Sequence, residues 1–126
     1  MRARRLLFAQ LSVLILLRIS QSIGIYYFDV SPNNEFFAIT HFLGGVWAAL
    51  FIVWVHSVAK KETPIALCIF AAFGVGVFWE LFEITTGLTI LESSRYTSDT
   101  LSDIAMDMFG GLLGGLLARS SVFNEK

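Results

Sequence analysis

Acidic side chains lie inside stretches of this chain that are otherwise apolar enough to cross a membrane. They are Glu80, Glu83, Asp103 and Asp107, and a histidine, His41, lies in another such stretch. A charge at the bilayer centre costs about 2.5–3.5 kcal/mol on insertion scales. Ionisable groups inside a membrane segment therefore indicate binding or pairing, and these residues predict a polar functional site.

Repulsion between carboxylates limits the kind of site that these residues can form. Two carboxylates ~5 Å apart repel by about 3 kcal/mol at an effective dielectric of about 20. Several in one cavity must therefore hold protons, pair with a basic side chain or bind a cation. The set suits Mg²⁺, Mn²⁺ or Ca²⁺, and Zn²⁺ or Fe²⁺ when an imidazole joins. The predicted cofactor is a divalent metal ion, with protons as the alternative, and the predicted ligands are His41, Glu80, Glu83, Asp103 and Asp107.

Arg18 is the candidate charge partner for this site. It lies well inside the first apolar stretch, with Gln21 and Ser22 on the same helix face. If its side chain extends so that the charged end reaches the membrane interface, Arg18 needs no functional role. We favour pairing with one of the carboxylates, and binding of an anionic lipid headgroup is the alternative.

Composition places the chain among membrane proteins. It has 126 residues, 56% of them hydrophobic, and its mean hydropathy is +0.70. This length allows a single domain, residues 1–126. The formal net charge of −1 is too balanced to indicate a nucleic-acid partner. Cys68 is the single cysteine, so no disulfide within the chain is possible.

The elements that must position the polar residues are membrane helices. A hydrocarbon core requires about 20 apolar residues per helix. Four stretches qualify, at about residues 6–27, 36–59, 64–87 and 100–118. The predicted fold is therefore all-α, an integral membrane bundle of four transmembrane helices. Asp99, at the start of the fourth stretch, is interpreted as a helix cap rather than a ligand.

Basic residues at the ends of the stretches predict the orientation. Positive charges are retained on the cytoplasmic side of membrane proteins. One side carries Arg2, Arg4, Arg5, Lys60, Lys61, Arg119 and Lys126. The loops on the other side, 28–35 and 88–99, contain several acids and a single basic residue, Arg95. Both termini are therefore predicted to be cytoplasmic.

Depth and helix face together predict that the polar residues meet. At 1.5 Å per residue, they lie ~5–10 Å from the outer ends of three helices that run in alternating directions. Each shares its helix face with small residues, where membrane helices approach closely: Gly45 and Ala48 with His41, Gly76 with Glu80, and Gly110 and Gly114 with Asp103 and Asp107. A common pocket in the outer half of the membrane is the prediction.

The combination of these segments resembles a known family. The segments are His41-Phe42-Leu43-Gly44-Gly45, then Trp79-Glu80-Leu81-Phe82-Glu83, then Asp99-Thr100-Leu101-Ser102-Asp103-Ile104-Ala105-Met106-Asp107, followed by Gly110-Gly111 and Gly114-Gly115. In this order, over about residues 35–118, they are similar to the YjdF-like inner-membrane proteins and, more remotely, to the VanZ-like family. Members usually carry an aspartate shortly before the histidine, where this chain has Phe37-Ala38-Ile39-Thr40.

The resemblance implies a location and a broad role. It implies a multi-pass protein of the bacterial inner membrane with a buried acidic motif. YjdF-like proteins have no established activity, and VanZ-like proteins are associated with glycopeptide resistance at the cell envelope. An envelope-related role, with a lipid or glycopeptide ligand, is what the resemblance implies.

The sequence leaves several function classes open. No HExxH, P-loop or GxGxxG motif is present, and the sequence favours a role other than catalysis. If the protein is an enzyme, we expect a metal-activated water to hydrolyse a lipid headgroup. The alternatives are a structural or interaction protein whose acids fix helix packing, and a small ion or proton conductor acting as a homo-oligomer.

Overall fold

The computed structural model describes residues 2–27, 37–87, 95–120 and 123. Within these ranges the protein is all-α, with four helices: α1 (Arg2–Tyr27), α2 (Phe37–Val58), α3 (Ile65–Thr86) and α4 (Tyr96–Leu117). Each helix is long and apolar enough to cross a membrane. The predicted fold is confirmed. Of the two predicted outer loops, 28–35 and 88–99, residues 28–35 and 88–94 lie outside the described residues.

The middle helices match their predicted spans closely, and the outer ones begin earlier. α2 and α3 differ from the predicted limits by one residue at each end. By contrast, α4 begins at Tyr96 instead of near residue 100, and α1 begins at Arg2 instead of near residue 6. Apolar composition marks only the part of a helix that lipid surrounds, whereas backbone hydrogen bonds continue the helix into polar sequence.

Local backbone chemistry sets the limits of α3. Lys60 adopts a left-handed conformation in the turn after α2, with φ 55°. Pro64 caps the start of α3 with φ −65°, a value that its ring imposes. Gly87 ends the helix at φ 71°, and its N–H donates to the carbonyls of Glu83 and Ile84. A glycine adopts this conformation without a steric penalty.

Packing centres on α2, which contacts α1, α3 and α4, while α3 also packs against α4. Within the described ranges α1 packs against α2 and has no comparable contact with α3 or α4. Small residues allow the closest approaches, because a Cβ on Gly45 would meet the backbone carbonyl of Asp107 and one on Gly110 would meet that of Phe42. The predicted small-residue faces are therefore confirmed.

The bundle has an apolar half and a polar half. Leu6, Val53, Cys68 and Ala118 belong to a buried apolar core, formed near the start of α1 and the end of α2. Buried polar residues of α2, α3 and α4 lie toward the other end of the bundle. Exposed positions along the helices carry large apolar side chains, as suits helix surfaces that face lipid.

A candidate metal site

Three helices bring His41, Glu80 and Asp103 together. His41 lies four residues into α2, Glu80 six residues before the end of α3, and Asp103 seven residues into α4. Because α3 runs opposite to α2 and α4, these positions lie at similar depths. One ligand atom from each residue lies within 4.8 Å of the others. His41 and Glu80 are buried and Asp103 is partly buried, so the predicted convergence is observed for these three residues.

The imidazole of His41 has two different neighbours. Its Nδ1 lies 3.0 Å from Oδ2 of Asp107, and its Nε2 lies 3.8 Å from Oδ2 of Asp103. With its proton on Nδ1, the ring donates to Asp107 and keeps a lone pair on Nε2. A neutral imidazole oriented in this way is the form that binds metals.

Glu80 carries an unusual buried oxygen. Its Oε2 accepts a hydrogen bond of 2.8 Å from the hydroxyl of Thr100. Its Oε1 is enclosed and has no hydrogen-bond partner among the described residues. Only 7% of the residue is exposed. In protein mutational data, burying a polar atom without a hydrogen-bond partner costs about 1–3 kcal/mol. A cation at this position would remove that cost.

Asp107 fits into a slot between α2 and α3. Its side chain is 2% exposed. A Cβ on Gly76 would meet Oδ2 of Asp107, and one on Gly44 would lie 3.5 Å from its Oδ1. Glycines on two neighbouring helices thus make room for this carboxylate, and its position against His41 is fixed by packing.

Glu83 lies one turn beyond Glu80 and has another partner. Its Oε1 accepts a hydrogen bond of 2.8 Å from the indole N–H of Trp79. It is partly buried and lies outside the group formed by His41, Glu80 and Asp103. Direct metal ligation by Glu83 or by Asp107 stays a prediction.

Arg18 contacts a residue of its own helix. Its guanidinium is exposed and donates to Oε1 of Gln21 at 3.5 Å. Its pairing with a site carboxylate therefore stays a prediction, and the contact observed joins it to a neutral side chain.

Two side chains near the site, one hydroxyl and one acidic, have contacts or positions that the sequence did not predict. Thr100, which donates to Glu80, lies three residues before Asp103 and so on the same helix face; this spacing could have identified it. The interpretation of Asp99 as a helix cap is wrong, because Arg95 is the N-cap and Asp99 lies in the first turn of α4. Asp99 also has an enclosed oxygen, Oδ2, without a partner among the described residues.

The dimensions of the three-residue group suit a divalent cation. Ligands on opposite sides of such an ion lie ~4–5 Å apart, twice the usual metal–ligand distance. The spacing within the group, up to 4.8 Å, falls in that range. The donors, one imidazole nitrogen and carboxylate oxygens, suit Zn²⁺, Fe²⁺ or Mn²⁺.

Comparison with known proteins identifies the family. A family described as predicted membrane protein (DUF2238), the YjdF-like family, matches residues 3–123. No curated protein and no solved structure matches the chain. The more remote likeness to VanZ-like proteins receives no support from these comparisons. Because the match covers nearly the whole sequence, this chain belongs to the YjdF-like family of predicted membrane proteins.

Proposed function

We propose that this membrane protein binds a divalent cation through His41, Glu80 and Asp103. The observation that carries the proposal is the enclosed Oε1 of Glu80, which has no hydrogen-bond partner among the described residues. It belongs to a side chain whose ligand atom lies within 4.8 Å of those of His41 and Asp103. A buried carboxylate beside a second one is stabilised by a positive ion.

Asp107 has a separate role in this proposal. By accepting from Nδ1 it holds the imidazole of His41 in one orientation, with Nε2 on the side of Asp103. Carboxylates behind metal-binding histidines commonly fix the tautomer and raise the basicity of the ring. Asp107 is thus a positioning residue, and His41, Glu80 and Asp103 are the ligands.

The donor set favours some metals over others. Mg²⁺ retains several waters and prefers oxygen ligands, which fits poorly with a buried site that includes an imidazole. Mn²⁺ and Zn²⁺ accept mixed nitrogen and oxygen ligands, and we propose one of these.

The location and use of the site are also part of the proposal. The basic residues of the sequence support a site in the outer half of a bacterial inner membrane. An envelope-related role fits that location. If the protein is catalytic, the bound metal would supply an activated water, and one of the nearby carboxylates would accept its proton.

A structural role is the main rival, and specific contacts favour it. The His41–Asp107 hydrogen bond joins α2 to α4, and the Thr100–Glu80 hydrogen bond joins α4 to α3. Such bonds between membrane helices contribute ~0.6 kcal/mol on average. They would fix the packing of the bundle without any metal.

Metal analysis of the purified protein distinguishes the two. The protein in detergent is loaded separately with Mn²⁺ and Zn²⁺, freed of unbound ions and measured by elemental analysis. We expect stoichiometric metal in the wild type and loss of it in Glu80→Gln and Asp103→Asn, since each variant removes a charged ligand.

Matched variants control for the removal of negative charge. Glu83→Gln lies one turn from Glu80 but outside the three-residue group, and Glu62→Gln lies in the exposed connection between α2 and α3. Both should retain the metal. Absence of bound metal in the loaded wild-type protein would contradict the proposal and favour the structural role. Loss in Glu83→Gln would contradict the assignment of the three ligands.

A further inference from the structure

A groove runs along the bundle beside the candidate metal site. Its cavity volume is about 170 Å³, and α1, α2, α3 and one residue of α4 contribute to its walls. The lining includes Leu14 and Gln21 of α1, Thr40, His41 and Trp47 of α2, and Val75 of α3. His41 and Asp107 form part of the wall, so the groove and the candidate site are continuous.

The groove opens sideways, toward lipid. Within the described ranges α1 packs against α2, and no Cα of α1 lies within 8 Å of a Cα of α3. The gap between α1 and α3 therefore faces out of the bundle. Because these helices span a membrane, the space outside this gap contains lipid chains rather than water.

Polarity changes along the groove as it does along a phospholipid. Gln21, Thr40 and His41 lie at one end, toward the start of α2. Leu14 lies seven residues before Gln21 in α1, and Trp47 lies seven residues after Thr40 in α2. Both therefore lie ~10 Å further along their helices. That distance leads from the membrane interface toward the middle of a hydrocarbon core about 30 Å thick. The polar end matches a headgroup region and the apolar end matches an acyl chain.

Arg18 supplies a charge complementary to phosphate. Its exposed guanidinium donates to Gln21, which lines the polar end of the groove. Guanidinium groups bind phosphate oxygens through two parallel hydrogen bonds. An arginine that is exposed inside a membrane helix is stabilised by such an anion.

We infer that this groove binds part of one acyl chain of an anionic phospholipid, with the phosphate at Arg18 and Gln21. The position of the headgroup beside a bound metal rests on the proposed function, whereas binding of the acyl chain in the groove is independent of it.

Photolabelling tests the inference directly. The protein is placed in nanodiscs that contain phosphatidylglycerol with a diazirine in one acyl chain, and labelled peptides are mapped by mass spectrometry after irradiation. We expect labels to concentrate on the groove segments of α1 and α3. Val75→Trp should lower this labelling several-fold, since the larger side chain fills the groove.

Val55→Trp is the matched control. Val55 and Val75 are each 37% exposed, and Val55 does not line the groove. Labelling of the groove should be unchanged in Val55→Trp. Replacing the probe by its phosphatidylcholine equivalent should lower the labelling, and Arg18→Gln should remove the difference between the two lipids.

Other outcomes overturn the inference. Labels spread evenly over all exposed helix faces, or equal labelling in the two tryptophan variants, would show that no lipid site exists here. Links between two protein chains at the groove would identify a second copy as its occupant. Metal content, measured in the same samples, tells the two proposals apart: Val75→Trp should lose lipid labelling and retain metal.

Discussion

At the scale of single residues, the two nitrogens of His41 have different neighbours. One lies at hydrogen-bond distance from the buried carboxylate of Asp107, and the other faces Asp103. A buried imidazole whose tautomer is fixed by a carboxylate loses little freedom when it binds a metal. This arrangement suggests that Asp107 affects the strength of binding, whereas Glu80 and Asp103 determine whether the ion binds.

Asp107→Asn tests this division of roles. The amide has nearly the same shape, so the slot between the glycines remains filled, but the charge that orients His41 is lost. We expect the dissociation constant for Mn²⁺ or Zn²⁺ to rise roughly 10–100-fold while the stoichiometry is retained. Isothermal titration calorimetry measures both quantities, with Glu83→Gln as the control.

Two results would contradict that role for Asp107. An unchanged dissociation constant would mean that Asp107 only packs against its neighbours. Loss of stoichiometric binding, as in Glu80→Gln, would make Asp107 a ligand, which is what the sequence alone predicted.

At the scale of helices, close contact between α2 and α4 sets the position of the site. A Cβ on Gly110 would meet the carbonyl oxygen of Phe42, so α4 lies almost against the backbone of α2. The polar residues can reach one another only at this separation. A side chain as small as a methyl group should therefore disturb both packing and site.

Gly110→Ala and Gly74→Ala form a matched pair for this contact. Both glycines lie inside helices, but an added Cβ on Gly74 meets no atom within 4 Å. We expect Gly110→Ala to lower the free energy of unfolding by about 1–3 kcal/mol through overpacking. Gly74→Ala should leave it unchanged or raise it by up to about 1 kcal/mol. Thermal unfolding in detergent compares them; equal stabilities would mean that the helices separate without cost.

The sequence predicted the helices and their meeting point because both follow from simple periodicities. Apolar length located α2 and α3, and the rise per residue placed His41, Glu80 and Asp103 at similar depths. The sequence could not separate the roles of Glu80 and Glu83. That difference depends on the rotation of α3 about its axis, which residue spacing does not encode. The hydrogen bond from Trp79 to Glu83 joins residues four apart, and this spacing could have identified it.

At the scale of the whole molecule, one half of the bundle is a tightly packed apolar core and the other half contains polar groups and a lateral groove. Leu6 and Ala118 close the core near the start of α1 and the end of α4. The groove forms because, among the described residues, α1 packs against α2 and not against α3.

The orientation of the bundle decides which side of the membrane the site serves. The basic residues near both termini and in the α2–α3 connection predict that these segments are cytoplasmic. Alkaline phosphatase, which is active only after export, should be inactive when fused after Lys126, and green fluorescent protein fused there should fluoresce. Phosphatase inserted within residues 88–94 is the control and should be active. The reverse pattern would place His41 and the groove in the cytoplasmic leaflet, and the cation and lipid headgroup would then come from inside the cell.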